Sequence, residues 1–236
     1  MSRPARARIN LQALQHNFSL VQQAAPDSHI MAIIKANAYG HGMVRIAQAL
    51  PAAAAFGVSC LDEAIALREA GFDRRIVLLE GLFGPDDIGL IGGYRLDVVV
   101  HHDSQLQWLT QERLLRPLDV WLKIDTGMHR LGFDPQRVSE ITTRLQQIPQ
   151  VASVRYMTHF PCADDLDNPD TREQIEVFKR AVAGIAGDSV MMPKGSDSTI
   201  TEEQLASRIR STAWVKETSG GTMTRGALIT SRTRWR

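Results

Sequence analysis

The chain has 236 residues, 44% of them hydrophobic and 22% charged, which supplies apolar material for one large core and excludes wholesale disorder. Lys and Arg number 27 against 26 Asp and Glu, and the net charge of +1 excludes the basic bias of a general nucleic-acid binder. The two cysteines, Cys60 and Cys162, fit neither a disulfide framework nor a zinc spacing, and no apolar run approaches the ~20 residues that span a bilayer. The basic start leads into Ile9-Asn10-Leu11-Gln12 rather than a secretory core, so a soluble, cytoplasmic protein is expected.

In chain order, an opening helix over Leu11–Ala24 precedes alternating strand and helix patterns. Strands are predicted at His29–Ala36, Ala54–Cys60, Arg75–Gly81, Leu96–His102, Leu118–Asp125 and Val151–Phe160. Most are short apolar runs without clean alternation, as in a parallel sheet buried on both faces. Helices are predicted at Gly42–Leu50, Leu61–Ala70, Asp86–Tyr94, Asp103–Leu115, Pro135–Gln147 and Thr171–Ile185. In the second of these, Asp62 and Glu63 occupy the first turn, where the helix dipole favours them, and Gly71 is placed to end it. Six successive βα units suit a (β/α)8 barrel or a doubly wound sheet. No G-x-G-x-x-G follows the first strand, which favours the barrel, in a form truncated after six of its eight units.

Character changes near residue 188. Residues 1–187 carry 19 basic and 21 acidic side chains with 13 Ser and Thr; residues 188–236 carry 8 and 5, with 15 Ser and Thr. The expected organisation is therefore a barrel segment, 1–187, and an unrelated tail, 188–236, with one helix at about Ile200–Val215 and a poorly ordered remainder.

Parallel α/β folds place reactive side chains at the carboxyl ends of strands. The first strand ends in Lys35 after a four-residue apolar run, where desolvation would lower the amine's pKa and make it a nucleophile for carbonyls. Gly40 and Gly42 open the backbone before a helix, a place for free N–H groups to meet a phosphate, with Tyr39 as a further donor. By period two, Lys123 and Asp125 share a strand face, so an ion pair of Asp125 with Lys123 or Arg130 is one expectation. A carbamate on Lys123, an anion that would orient Arg130, is the other. His101-His102 reads as a polar strand end rather than a metal site, and the Asp164–Asp170 cluster as a solvated loop, so no metal is expected.

The run Lys35-Ala-Asn-Ala-Tyr39-Gly-His-Gly42 resembles the cofactor-lysine motif of the alanine racemases, and Trp121-Leu-Lys-Ile-Asp-Thr-Gly-Met-His-Arg-Leu-Gly-Phe133 is similar to that family's strand-five signature. Thr158-His159-Phe160 is similar to its strand-six histidine. The resemblance covers residues 1 to about 187 and implies a pyridoxal 5′-phosphate enzyme with a barrel domain, interconverting L- and D-alanine to supply or consume this cell-wall precursor. It implies that Lys35 forms the internal aldimine and acts as one base, that Tyr39 holds the cofactor phosphate, and that Arg130 bridges cofactor and substrate carboxylate beside Met128. His159 would hydrogen-bond an arginine facing the pyridine nitrogen, and Lys123 matches a lysine that the family often carbamylates. The family is a homodimer in which a tyrosine from a second, β-rich domain of the partner subunit is the opposing base.

The sequence departs from the family after Gly187. Strands seven and eight, with their phosphate-binding serine and glycine and the ring-facing arginine, cannot be assigned, and the only tyrosines are Tyr39, Tyr94 and Tyr156. A truncation or recombination near residue 188, with impaired activity, is therefore expected. The alternatives are a non-racemising, single-barrel protein that binds pyridoxal phosphate and an inactive scaffold fragment.

Overall fold

A computed structural model describes residues 8–111, 116–163, 165, 168–185 and 189–190. The opening helix α1, Leu11–Ala24, starts where the Asn10 side chain accepts the Ala13 amide at 3.1 Å, and it buries Leu14, Phe18 and Val21 on one face. Six strands follow: β1 Met31–Ile33, β2 Ala55–Val58, β3 Arg75–Leu78, β4 Asp97–Val100, β5 Leu118–Lys123 and β6 Val151–Met157. Between and after them lie α2 Lys35–Tyr39, α3 Met43–Ala49, α4 Leu61–Glu69, α5 Asp87–Tyr94, α6 Asp103–Gln111, α7 Val138–Gln146 and α8 Asp170–Val182. A two-residue strand, β7 Ser189–Val190, pairs with β6 through Arg155↔Ser189 and Tyr156↔Val190. This adds a seventh strand to the six that the sequence suggests. The predicted tail helix lies outside the described residues.

The sheet order is β1-β2-β3-β4-β5-β6-β7, and every pairing is parallel. A doubly wound sheet reverses its strand order once and carries helices on both faces. Here the order never reverses, and the helices pack on one face alone. On that face Phe56, Ile76, Val98, Val120 and Tyr156 meet helical residues such as Leu14, Leu67, Ile141 and Phe178. The opposite face forms a separate cluster from strands only, with Met31, Ala55, Val77, Val99 and Trp121 at its centre and Ile33, Leu79 and Met157 beside them. One face covered by helices and one lined by strands alone is the wall of a (β/α) barrel.

Local chemistry sets where the elements stop. α4 ends in a Schellman turn: Gly71, at φ +86°, donates to the Arg68 carbonyl, and the Phe72 amide reaches back to Leu67. The predicted Pro135–Gln147 helix opens as a 3₁₀ turn, Pro135–Arg137, whose first orphan donor, Gln136 N–H, bonds the Asp134 side chain at 2.8 Å. β1, β5 and β6 are shorter than predicted, stopping at Ile33, Lys123 and Met157. Among the described residues, no helix is long and apolar enough to cross a membrane.

The helix-covered face holds the larger core, and α8 seals it with Phe178, which has no exposed surface. Phe178→Ala is expected to destabilise the fold by about 3–5 kcal/mol, whereas Phe83→Ala, at a loop residue 63% exposed, should stay within ~0.5 kcal/mol. Urea unfolding of the two variants beside the parent checks this; equal losses would contradict the packing described.

Candidate active site at the carboxyl ends of the strands

The barrel interior is layered by the two-residue period of its strands. At the amino ends lies a polar layer. Arg75 bridges Asp97 at 2.7 Å and Asp119 at 2.8 Å, Arg155 reaches Asp119 at 3.3 Å, and the Trp121 indole donates to Asp97 at 2.8 Å. Burial, the dominant influence, pushes the Asp97 carboxyl up, opposed by the Trp121 donor and Arg75. The apolar middle layer is the Met31–Trp121 cluster. Lys123 continues the face of Trp121 at the carboxyl end of β5, and Lys35, His101 and His159 follow just past the ends of β1, β4 and β6.

The segment after β1 is a left-handed helical turn. Ala36, Asn37, Ala38 and Tyr39 have φ between 52° and 53°, followed by Gly40 at 86° and Gly42 at 92°. An L-residue in this region costs about 1–2 kcal/mol, so four in succession persist only where surrounding bonds over-determine them. The bonds are dense. Ala38 N–H donates to Ile34 O, Gly40 N–H to Ala36 O and Gly42 N–H to Asn37 O. The Asn37 side chain accepts the Met43 amide at 2.8 Å, and its own amide donates to Glu63 Oε1 at 3.0 Å. Ala38 is buried, while Tyr39 is half exposed and its hydroxyl is pushed up by burial. The amides of Gly40, His41, Gly42 and Met43 are all spent inside this turn, which corrects the expectation of free N–H groups there.

The strand-five signature folds into a compact loop. Beyond Lys123 the Asp125 carboxylate accepts the Gly127 amide at 3.1 Å and the His129 amide at 2.9 Å, and its second oxygen meets His129 Nδ1 at 3.1 Å. These bonds, with the fixed φ of His129 at 55°, carry Met128 and the exposed Arg130 across the barrel mouth. Gly132 closes the loop against the Asp125 backbone, where any Cβ would lie 2.7 Å from Asp125 N. Phe133 N–H then returns to the Lys123 carbonyl. The Thr126 and Thr158 hydroxyls meet at 2.8 Å, and Thr158 donates to Ile124 O, tying this loop to the end of β6 just before His159.

The electrostatics are dominated by positive charge. Burial, then the charges of Arg130 and Lys35, hold the Lys123 amine below the usual lysine range, and Asp125 and Glu80 pull weakly the other way. Burial, then Lys123, Arg130 and Lys35, lower His159 to about 4. Of the six residues singled out in the sequence, Lys35, Lys123, Arg130 and His159 lie close enough to act on one another's charge, while Tyr39 follows Lys35 in the left-handed turn and Met128 precedes Arg130 in the strand-five loop. Among the described residues, Lys35, Lys123 and Arg130 form no ion pair; Asp125 pairs with His129, not with the expected Lys123 or Arg130. Nor does any group of three potential metal ligands converge among the described residues, and Cys60 and Cys162 are free thiols.

Two participants escape a motif reading. His101 sits half-buried with Nε2 3.0 Å from the Glu80 carbonyl, and burial, then the nearby Lys123 and His102 charges, depress it. Glu63 appears in the sequence only as a first-turn acid, yet its second oxygen also accepts the Ser59 amide at 2.9 Å. No capping-box spacing marks this contact, because Ser59 lies one position ahead of the N-cap Cys60.

Known proteins bear the same arrangement. A family model described as "Alanine racemase, N-terminal domain" matches residues 9–211, running past the compositional break. The alanine racemase of Shewanella baltica is 48% identical over 183 residues, 77% of this chain and 51% of that protein. That of Vibrio cholerae is 48% identical over 185 residues, 78% and 51% respectively. The crystal structure of biosynthetic alanine racemase from Pseudomonas aeruginosa aligns with a TM-score of 0.74 and 39% identity, over 77% of this chain and 51% of that one. The chain spans about half the length of these relatives. With its consecutive parallel barrel wall, its lysine turn and its strand-five loop, it belongs to the alanine racemase family through that family's N-terminal domain.

Proposed function

We propose that this chain supplies the cofactor-holding barrel of a pyridoxal-phosphate-dependent alanine racemase, with Lys35 as the attachment point. One observation carries the reading. Lys35, Lys123, Arg130 and His159 converge on the barrel mouth, and none of Lys35, Lys123 and Arg130 is neutralised by a carboxylate ion pair among the described residues. A cluster of that kind calls for anionic ligands, and the cofactor phosphate and a substrate carboxylate are two such anions. When bound, the cofactor withdraws electrons from the amino acid Cα, so that its proton can leave and return on either face.

The residues divide this work by position. Lys35 would hold the cofactor through its amine Nζ and, with substrate in place, would carry the proton on one face of Cα. Tyr39, kept protonated by its burial, donates from its hydroxyl to the phosphate. The exposed Arg130 guanidinium receives the substrate carboxylate through paired N–H donors beside the Met128 backbone, and the Asp125 turn holds both in place. His159, neutral at pH 7, contributes a hydrogen bond without adding to the local positive charge. The base for the other face is assigned, following the family resemblance, to a tyrosine in a second domain of a partner subunit.

Lys123 fits a further element of this reading. Its lowered pKa enlarges the fraction of free amine, whose lone pair attacks carbon dioxide; the N–C bond forms, a proton leaves, and the resulting carbamate faces Arg130 as an anion. Peptide mass spectrometry under bicarbonate is expected to give an acid-labile increment of one carbon dioxide on the Lys123 peptide, and its absence would remove this element.

Reconstituted with pyridoxal phosphate, the chain is expected to show a visible absorption band that Lys35→Ala abolishes, with borohydride fixing the cofactor to the Lys35 peptide. Label on another lysine would overturn the assignment. Conversion of L- to D-alanine separates racemisation from bare cofactor binding.

The depressed His159 also sets a pH response. Its folded value of about 4 lies below the ~6.5 of an unfolded histidine, so between those values the unfolded chain binds more protons and stability falls as the pH falls. Urea midpoints of the cofactor-free chain should drop from pH 7 to pH 5, and His159→Asn should flatten that drop. An unchanged slope in the variant would contradict the burial of this imidazole.

A further inference from the structure

We infer that Glu63 is a positioning residue for Lys35: its carboxylate holds the left-handed turn that sets the direction of the lysine. This rests on Lys35 as the cofactor attachment point. Almost every hydrogen bond that keeps the turn wound is local, made between residues 34 and 43. Among the described residues, Glu63 is the only side chain from another element that bonds any of residues 36–42. It acts on the residue where the turn is most interconnected. The Asn37 amide goes to Glu63, its carbonyl accepts Gly40 and Gly42, and its side chain starts α3 at Met43.

Glu63 itself is firmly placed. One oxygen of its carboxylate is fixed by the Ser59 amide at 2.9 Å and the Ser59 hydroxyl at 3.2 Å, so the other is presented to Asn37 from a rigid helix start. The bond is charge-assisted, the stronger kind, and it joins β1's exit to β2's exit. In that arrangement the Ser59-bound oxygen and the turn-holding oxygen are separate atoms with separate tasks. The two tasks can therefore be parted by length. Aspartate at this position keeps a carboxylate in the first turn of α4 but is one methylene short of Asn37.

The test uses the full chain with Glu63→Asp and Glu63→Ala, and Lys35→Ala as a control. In the cofactor-free protein, amide exchange at Asn37 is expected to quicken roughly tenfold or more in both Glu63 variants, the scale of one lost charge-assisted bond. With pyridoxal phosphate added, the apparent Kd should rise by about the same factor, while E63D unfolds near the parent temperature and E63A below it. Asn37 exchange at the parent rate in E63D and E63A overturns the inference. So does faster exchange with an unchanged Kd, which would leave Glu63 holding the turn without any effect on Lys35. A visible band retained in K35A would instead strike at Lys35 as the attachment point, and the Asn37 exchange rates would still decide what Glu63 does to the turn.

Discussion

Parallel pairing in consecutive order is the constraint on which the rest of this structure depends. Because each strand meets its successor in register, as in Met31↔Ala55, Val99↔Trp121 and Lys123↔Met157, the side chains that face inward do so in layers. The amino-end layer is closed by Arg75, Asp97, Asp119 and Arg155, and the middle is filled by Trp121 and its apolar neighbours. What remains at the opposite end is a shallow group of basic side chains above a dry floor. Placing an amine such as Lys123 there, 7% exposed and without an ion pair, costs free energy that a purely structural site would avoid.

The two loops that frame this end solve the same problem by different means. The strand-five loop is organised around an acid, Asp125, that gathers amides and a histidine of its own segment. The lysine turn is organised around an amide, Asn37, that must borrow its acid from α4. Among the described residues, both leave the side chains of Arg130 and Lys35 without a hydrogen-bond or ion-pair partner, because the binding capacity of each loop is directed to its backbone.

Much of this was legible in the sequence. The six strands and α1 follow from apolar runs bounded by Gly, Asp and Pro, and the two long motifs bring Lys35, Tyr39, Lys123, Met128 and Arg130 into view because their residue types are unusual beside buried strands. The backbone hand after Lys35 was not legible. Four residues with two alanines, an asparagine and a tyrosine carry no propensity for positive φ as a group, and the conformation is imposed by bonds from Glu63 and within the turn. The assumed period-two pairing of Lys123 with Asp125 failed for a related reason. The strand ends at Lys123, so the alternation that governs it no longer governs its neighbour two residues on.

The coiling of the lysine turn has a geometric outcome of its own. Had β1 simply continued, the Cα atoms of Lys35 and Tyr39 would be separated by about 13 Å along the chain axis, at the pitch of a strand. One helical coil shortens that axial travel to about 6 Å. The amine and the phenol are therefore borne by a single short piece of chain, a compactness that a straight segment could not match.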